Sequence, residues 1–245
     1  MVRRRAAYVI DETAGWLARR LHRRSSPHPN TRRELSLYLG KQIAELFPPP
    51  PGLPNVTMHR RWKFGRFKCD DLTFASFHEP ICPKFRIRHE LDYETNHTVH
   101  VRWFRHRSRA RRPTLIYLHS WMYPETVFDE FTLVPRLART LGVDIARLQL
   151  PYHGKRKPAH SIFHGELFWS ADLVRSVEAI RQSVMDTRTL LGWLQERRGL
   201  EVGVVPLGAD PVDADRDGTA AVLAARRGCA RGLPCGGLGV GGDGV

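Results

Sequence analysis

Short apolar runs alternate with amphipathic stretches from Pro113 to Val205, and this alternation restricts the fold more than any other feature of the chain. The runs have the length of buried strands, and the longer stretches carry apolar residues at helical steps. A strand–helix–strand–helix–strand order favours right-handed crossovers between parallel strands. The sequence therefore predicts an α/β fold, a three-layer domain with a mainly parallel sheet. Strands are predicted at 114–118, 145–150 and 202–205, and helices at about 131–141 and 172–197.

The part of the chain before Pro113 has helical patterns first and strand patterns afterwards. Residues 6–22 and 34–47 are predicted helices, and the prolines Pro48–Pro51 end the second one and begin a stiff linker. Strands are predicted at 72–77, 85–88 and 98–104. We divide the chain into a basic helical extension with its Pro-rich linker (1–55), an α/β core (56–205) and a tail (206–245).

The composition changes abruptly at Pro206. Residues 206–245 contain ten Gly and seven Ala but no aromatic residue, Lys, Glu, Ser, Ile or His. Such a segment has little apolar surface to offset its ordering entropy, so we predict a disordered tail. Nearly all its residue types are those of GC-rich codons, and we hypothesise that the true reading frame is lost after Val205. The alternative is a natural disordered tail.

The net charge of +14 lies in the N-terminal part of the chain. Residues 1–112 hold 24 Lys and Arg against 10 Asp and Glu, whereas residues 113–245 hold 15 of each sign. A basic face of this kind can bind the phosphates of nucleic acid or of an anionic membrane. The simpler interpretation is an Arg-rich solvated surface, which composition alone favours.

Several classes of protein are disfavoured by the sequence. No apolar run approaches the roughly 20 residues of a membrane span, so we expect no transmembrane segment. The basic start Met1–Arg5 is followed by Asp11 and Glu12 instead of an apolar stretch, which disfavours a signal peptide. The four cysteines are widely spaced, which indicates free thiols in a cytoplasmic protein. We expect no cofactor and no metal.

Two loops that follow predicted strands carry the residues best suited to chemistry. The first contains His119, Ser120 and Trp121, and a loop at this place can present backbone N–H groups to a developing oxyanion. The second contains Tyr152, His153 and Gly154, which we take as candidates for a substrate loop.

The second loop and the residues after it allow two further interpretations. His153, His160 and His164 are possible metal ligands, but their spacing matches no closed zinc pattern and no Cys lies nearby in the sequence, which favours ordinary loop histidines. The cations at 155–157 either bind an anionic group of a substrate or form a solvated turn, and the solvated turn is favoured.

The order of these loops resembles that of the α/β-hydrolase superfamily. His119 follows the third strand of such a domain, a Pro151–Gly154 loop follows the fourth, and Gly165–Phe168 leads into a long helix. In this order of motifs the chain is similar to a bacterial branch near the abhydrolase-domain-containing-18 group, over residues 61–205. The resemblance implies an α/β-hydrolase-like sheet and a serine hydrolase acting on a small-molecule ester-like or acyl substrate. It also implies oxyanion-hole candidates at His119, Ser120 and Trp121.

The same resemblance implies a nucleophile that this sequence does not contain. A G-x-S-x-G turn should follow the strand 202–205, but Pro206–Asp210 holds no Ser or Cys. No Ser follows Ser183 and no His follows His164, so the catalytic residues are unknown. We therefore expect an α/β-hydrolase-like protein, incomplete at its C-terminus, that is inactive or nearly so. The alternatives are a non-catalytic protein whose basic N-terminal region binds nucleic acid or anionic membrane, and a fragment without function.

Overall fold

A six-stranded mixed sheet forms the centre of the protein. The computed structural model describes residues 32–108, 110–121 and 130–205. In sheet order the strands are β1, β2, β3, β5, β4 and β6. The pairs β1–β2, β2–β3 and β3–β5 are antiparallel, and the pairs β5–β4 and β4–β6 are parallel. Strands β2, β4, β5 and β6 therefore run in one direction. The bounds are Thr57–Phe64 (β1), Phe67–Ala75 (β2), Thr98–His106 (β3), Thr114–Leu118 (β4), Asp144–Leu148 (β5) and Val202–Val205 (β6).

Two helices cover opposite faces of the sheet and complete the three predicted layers. Helix α4 packs Val134 and Ala138 against Phe104 and Ile145 on one face. Helix α5 packs Leu190, Trp193 and Leu194 against the other face, where the strands supply alternate apolar residues. The predicted α/β fold with three layers is therefore confirmed. The helices are Arg32–Ser36 (α1), Ile43–Leu46 (α2), Pro83–Asp92 (α3), Leu133–Leu141 (α4) and Leu173–Arg198 (α5).

The predicted helix at 34–47 is instead two short helices. Helix α1 ends before Gly40, whose φ of 73° lies in the left-handed region and interrupts the helical turn. Helix α2 follows it, and Leu39 and Ile43 remain exposed. The predicted helix at 6–22 and the predicted tail at 206–245 lie outside the described residues.

The predicted strand at 85–88 is wrong, because this segment belongs to helix α3. Pro83 occupies the first turn of the helix, where its missing N–H has no cost. Phe85 and His89 lie one helical turn apart and are both buried, while Ile87 is 58% exposed. The alternating letters Phe85-Arg86-Ile87-Arg88 fit a strand and one face of a helix equally well over so short a window.

Helix α5 is present as predicted, but its first half buries polar side chains. Asp172 caps it, since its Oδ1 accepts a hydrogen bond from the Arg175 N–H at 3.1 Å. Leu173 is 53% exposed, although it belongs to the predicted apolar face. Glu178 is buried, and its Oε1 accepts hydrogen bonds from the Tyr38 hydroxyl at 2.5 Å and the Ile81 N–H at 2.8 Å. Thus α5 ties α1 and the segment before α3 to the sheet.

None of the described helices is long and apolar enough to cross a membrane. Cys69 and Cys82 are buried free cysteines, and burial, followed by the nearby Glu130, raises the pKa of the Cys69 thiol to about 12.

Candidate functional site

The two loops singled out in the sequence meet at one edge of the sheet. Strands β4 and β5 are parallel neighbours, with Leu118 in register with Leu148, so their carboxyl ends lie side by side. Loops at the carboxyl ends of parallel strands are the usual place of ligand sites in α/β proteins. We name residues 119–121 the β4 loop and residues 149–157 the β5 loop.

His119 fastens the β4 loop to the β5 loop. Its Nε2 accepts a hydrogen bond from the Leu150 N–H at 3.1 Å, and its Nδ1 donates to the Ser120 carbonyl at 3.0 Å. A ring that accepts through one nitrogen and donates through the other is a neutral imidazole. His119 is 3% exposed, so it acts as a fixed spacer between the loops.

Ser120 is exposed at this edge, in the loop that follows strand β4. Trp121 is anchored beside it, because its Nε1 donates to the Gly165 carbonyl at 2.8 Å. The exposed Ser120 thus lies between two residues whose side chains are fixed.

His153 lies against His119 in the interior. The two ring centroids are 4.7 Å apart in an edge-to-face arrangement, and the Nδ1 of His153 donates to the Pro151 carbonyl at 2.8 Å. Burial, followed by the nearby His119, lowers the pKa of His153 to about 3. Its Nε2 has no hydrogen-bond partner among the described residues. The ring is therefore a neutral, buried acceptor over the whole physiological range.

Tyr152 has the left-handed backbone conformation that bulky residues rarely adopt. Its φ is 63°, which costs roughly 1–3 kcal/mol for a residue other than glycine. Its N–H donates to Asn96 Oδ1 and its carbonyl accepts from the Gly165 N–H, both at 2.9 Å. Burial, followed by the neighbouring Tyr93, raises the pKa of its hydroxyl well above the ordinary value. The surrounding contacts thus hold a strained turn in the β5 loop.

Two further backbone donors of the β5 loop are bound by nearby side chains. The Gly154 N–H donates to His164 Nδ1 at 3.0 Å, and the Lys155 N–H donates to Gln149 Oε1 at 3.1 Å. His160 packs elsewhere, with its ring centroid 6.0 Å from that of Tyr93. In the described residues no group of three or more His, Cys, Asp or Glu side chains is arranged to hold a metal ion.

The three cations of the β5 loop have different surroundings. Arg156 is fully buried, where it donates to the carbonyls of Gln149 and Asn96 and pairs with Asp186, Nη1 to Oδ2, at 2.9 Å. Lys157 donates its Nζ to the Ser161 carbonyl at 2.6 Å. Lys155 is exposed. A solvated turn therefore describes Lys155, whereas Arg156 is part of the interior.

Two residues that support this site were given no role from the sequence. Gly165 has a φ of 82°, and a Cβ placed there would lie 2.3 Å from His153 Nε2. Asn96 is fully buried and positions both Tyr152 and Arg156. Gly165 belongs to the Gly165–Phe168 motif, and the presence of a glycine there could have indicated a close contact. No local sequence pattern indicates the role of Asn96, because its contacts lie 56 and 60 residues away along the chain.

The comparisons with known proteins found structural likeness alone. No family model matches the chain, and no curated protein matches it. Acetyl xylan esterase 1 from Thermoanaerobacterium sp. JW/SL YS485 is similar with a TM-score of 0.45 and 13% identity, over 76% of this chain and 54% of that one. A putative acetyl xylan esterase from Bacteroides fragilis NCTC 9343 has a TM-score of 0.44 and 12% identity, over 79% and 53%.

A third solved structure is a cold-adapted esterase from an Arctic intertidal metagenomic library. It has a TM-score of 0.39 and 12% identity, over 61% of this chain and 54% of that one. This chain spans about half the length of each of these three structures.

Proposed function

We propose that this chain is related to serine hydrolases that cleave ester-like or acyl bonds, and that the protein with this sequence has no such activity itself. The observation that carries the proposal is the exposed Ser120 at the carboxyl end of β4, between the fixed side chains of His119 and Trp121. In an acyl-transfer site a backbone N–H at this place stabilises the oxyanion of the tetrahedral intermediate. His119 and Trp121, which fix the loop on either side, support this donor role for Ser120.

The role of the β5 loop in this proposal is to support the site. Tyr152 and His153 are buried, and their polar groups face the interior, so they set the shape of the loop beside a substrate. Gly154 has a φ of 51° and permits the turn to close against Gln149. Lys155 is the side chain of this loop that a small-molecule ester meets from solution.

The proposed inactivity rests on the missing nucleophile. Strand β6 ends beside β4, and the residue that attacks a carbonyl near Ser120 should come from the turn directly after β6. In this sequence the turn is Pro206–Asp210, which supplies no hydroxyl or thiol. Without the attacking group, an oxyanion donor alone gives weak catalysis at most.

Two measurements test the proposal. The purified chain should hydrolyse short p-nitrophenyl esters no faster than a heat-unfolded sample, and a serine-reactive phosphonate should not label it. Turnover that the phosphonate abolishes would overturn the inactivity. The gene read in all three frames should contain a G-x-S-x-G turn after the codon for Val205 in another frame. If no one-base change restores such a turn, the lost frame is rejected and a natural tail is accepted.

A further inference from the structure

A row of like charges crosses the sheet at the edge opposite the candidate site. Lys63 of β1, Lys68 of β2 and Arg105 of β3 are direct cross-strand neighbours and share one face. Directly opposed like charges destabilise a sheet. Burial, followed by the nearby Arg105 and Arg60, lowers the pKa of the Lys68 ammonium group. The fold thus retains an unfavourable charge arrangement that an external anion would relieve.

More cations surround this row at the turn between β1 and β2. Arg66 in the turn is exposed, and Arg107 lies beside it, with its Nη1 donating to the Gly65 carbonyl at 3.1 Å. Among the described residues, the carboxylate paired with these cations is the buried Asp70, which binds Arg60 and Arg105. The basic hairpin is defined as Arg60, Lys63, Phe64, Arg66 and Lys68, together with Arg105 and Arg107 of the neighbouring strand.

An exposed aromatic side chain lies at the tip of the basic hairpin, on the sheet face opposite to Lys63 and Lys68. Phe64 is 74% exposed and stands immediately before the turn at Gly65. Its cross-strand partner Phe67 is packed inward, with its ring centroid 4.7 Å from that of His106. Folding therefore leaves most of the Phe64 ring in water, whereas transfer of the ring into an apolar medium would be favourable.

We propose that the basic hairpin docks on an anionic membrane surface, where Phe64 enters the interfacial region while Lys63, Arg66 and their neighbours contact lipid phosphates. The combination of an apolar side chain with surrounding cations is the pattern of peripheral membrane binding. Single-stranded nucleic acid is bound in grooves lined with several stacking aromatic side chains. In the basic hairpin Phe64 is exposed, whereas its partner Phe67 packs against His106. A single exposed ring therefore favours the membrane. This inference does not depend on the proposed hydrolase relationship.

The experiment is co-sedimentation of the full chain with vesicles. Binding to vesicles of phosphatidylcholine and phosphatidylserine is expected, together with little binding to phosphatidylcholine alone. The double variant Lys63→Gln/Arg66→Gln should lower the partition coefficient roughly 20-fold, since each cation near the surface contributes about fivefold. Phe64→Ala should lower it about tenfold. All five positions in these variants and the control are exposed, so unchanged thermal melts are expected.

The matched control is Arg32→Gln/Arg33→Gln on α1, which removes the same charge from another exposed part of the chain. It should bind like the unaltered protein. An equal loss in this control would overturn the proposal in favour of a general charge effect. Absence of binding to the anionic vesicles would also overturn it. Binding to a single-stranded oligonucleotide but not to vesicles, sensitive to Lys63→Gln/Arg66→Gln and insensitive to Phe64→Ala, would assign the hairpin to nucleic acid instead.

Discussion

His119 and His153 meet edge to face, with their ring planes at 66°, where the carboxyl ends of β4 and β5 lie together. Each ring donates through Nδ1 to a carbonyl oxygen near it in its own loop. Two neutral imidazoles thus join the loops without a charge in the interior.

Replacing His119 by Ala should destabilise the protein by about 1–3 kcal/mol, because the buried Leu150 N–H loses its acceptor. His119→Gln keeps an acceptor oxygen on a side chain of similar reach and should cost less. Urea unfolding of the two variants measures the difference. Equal losses would show that ring packing, and not the hydrogen bond, holds the loops.

Gly165→Ala should destabilise by about 2–4 kcal/mol, since the new Cβ would clash with His153 and the positive φ would be strained. Gly52→Ala is the matched control, because a Cβ at Gly52 meets no heavy atom within 4 Å. Its free energy of unfolding should change by no more than about 0.5 kcal/mol. Thermal or urea unfolding of both variants checks the contrast.

Stability should fall as the pH is lowered from about 6.5. Burial, followed by the nearby His78, lowers the pKa of His89 to about 4, and the pKa of His153 is lowered to about 3. Below the ordinary histidine pKa, these two histidines bind protons in the unfolded chain but not in the folded chain. Each of them therefore lowers the free energy of unfolding by about 1.4 kcal/mol for each pH unit of acidification. This contribution ends once the pH has fallen below the folded pKa.

Comparing each variant with the unaltered protein between pH 6.5 and 5 isolates these two histidines, because the other histidines are common to both and ordinary carboxyl groups titrate mainly below that window. His89→Gln and His153→Gln should each reduce the slope by one proton equivalent in urea unfolding followed against pH. An unchanged slope in either variant would show that its histidine is not held neutral by the fold.

Removing one member of the buried Arg156–Asp186 pair should cost about 3–5 kcal/mol, since the remaining charge is left without its counterion. Asp186→Asn and Arg156→Met are the single variants. The double variant should be less destabilised than the sum of the two, and a double-mutant cycle measures this coupling. Strict additivity would mean that the two side chains do not stabilise each other.

The elements that the sequence predicts well are those whose local signals agree with their tertiary surroundings. Strand β4 has the predicted bounds, and helix α4 ends at residue 141 as predicted, since the φ of 67° at Gly142 stops it. In α5 the signals conflict, because the first turns bury Arg175, Glu178 and Arg181 beside partners from distant segments. A hydrophobic pattern cannot predict a buried face made of satisfied charges.

The candidate site shows the same limit. Its loops could be predicted, because they follow apolar strands that are neighbours in a parallel sheet. The burial of Arg156 could not be predicted, since the carbonyls and the carboxylate that bind its guanidinium come from three separate parts of the chain. The left-handed conformation of Tyr152 could not be predicted either, because tyrosine rarely adopts it.

The strand directions fix how the protein would stand on a charged surface. The basic hairpin is at the amino ends of β2, β4, β5 and β6, and the Ser120 N–H is at the opposite ends of these strands. The five residues of β4 separate the two edges by about 17 Å. A chain bound to a membrane through Phe64 would therefore have Ser120 on the side that faces water. Ser120 would then be accessible to dissolved molecules and not to lipid tails.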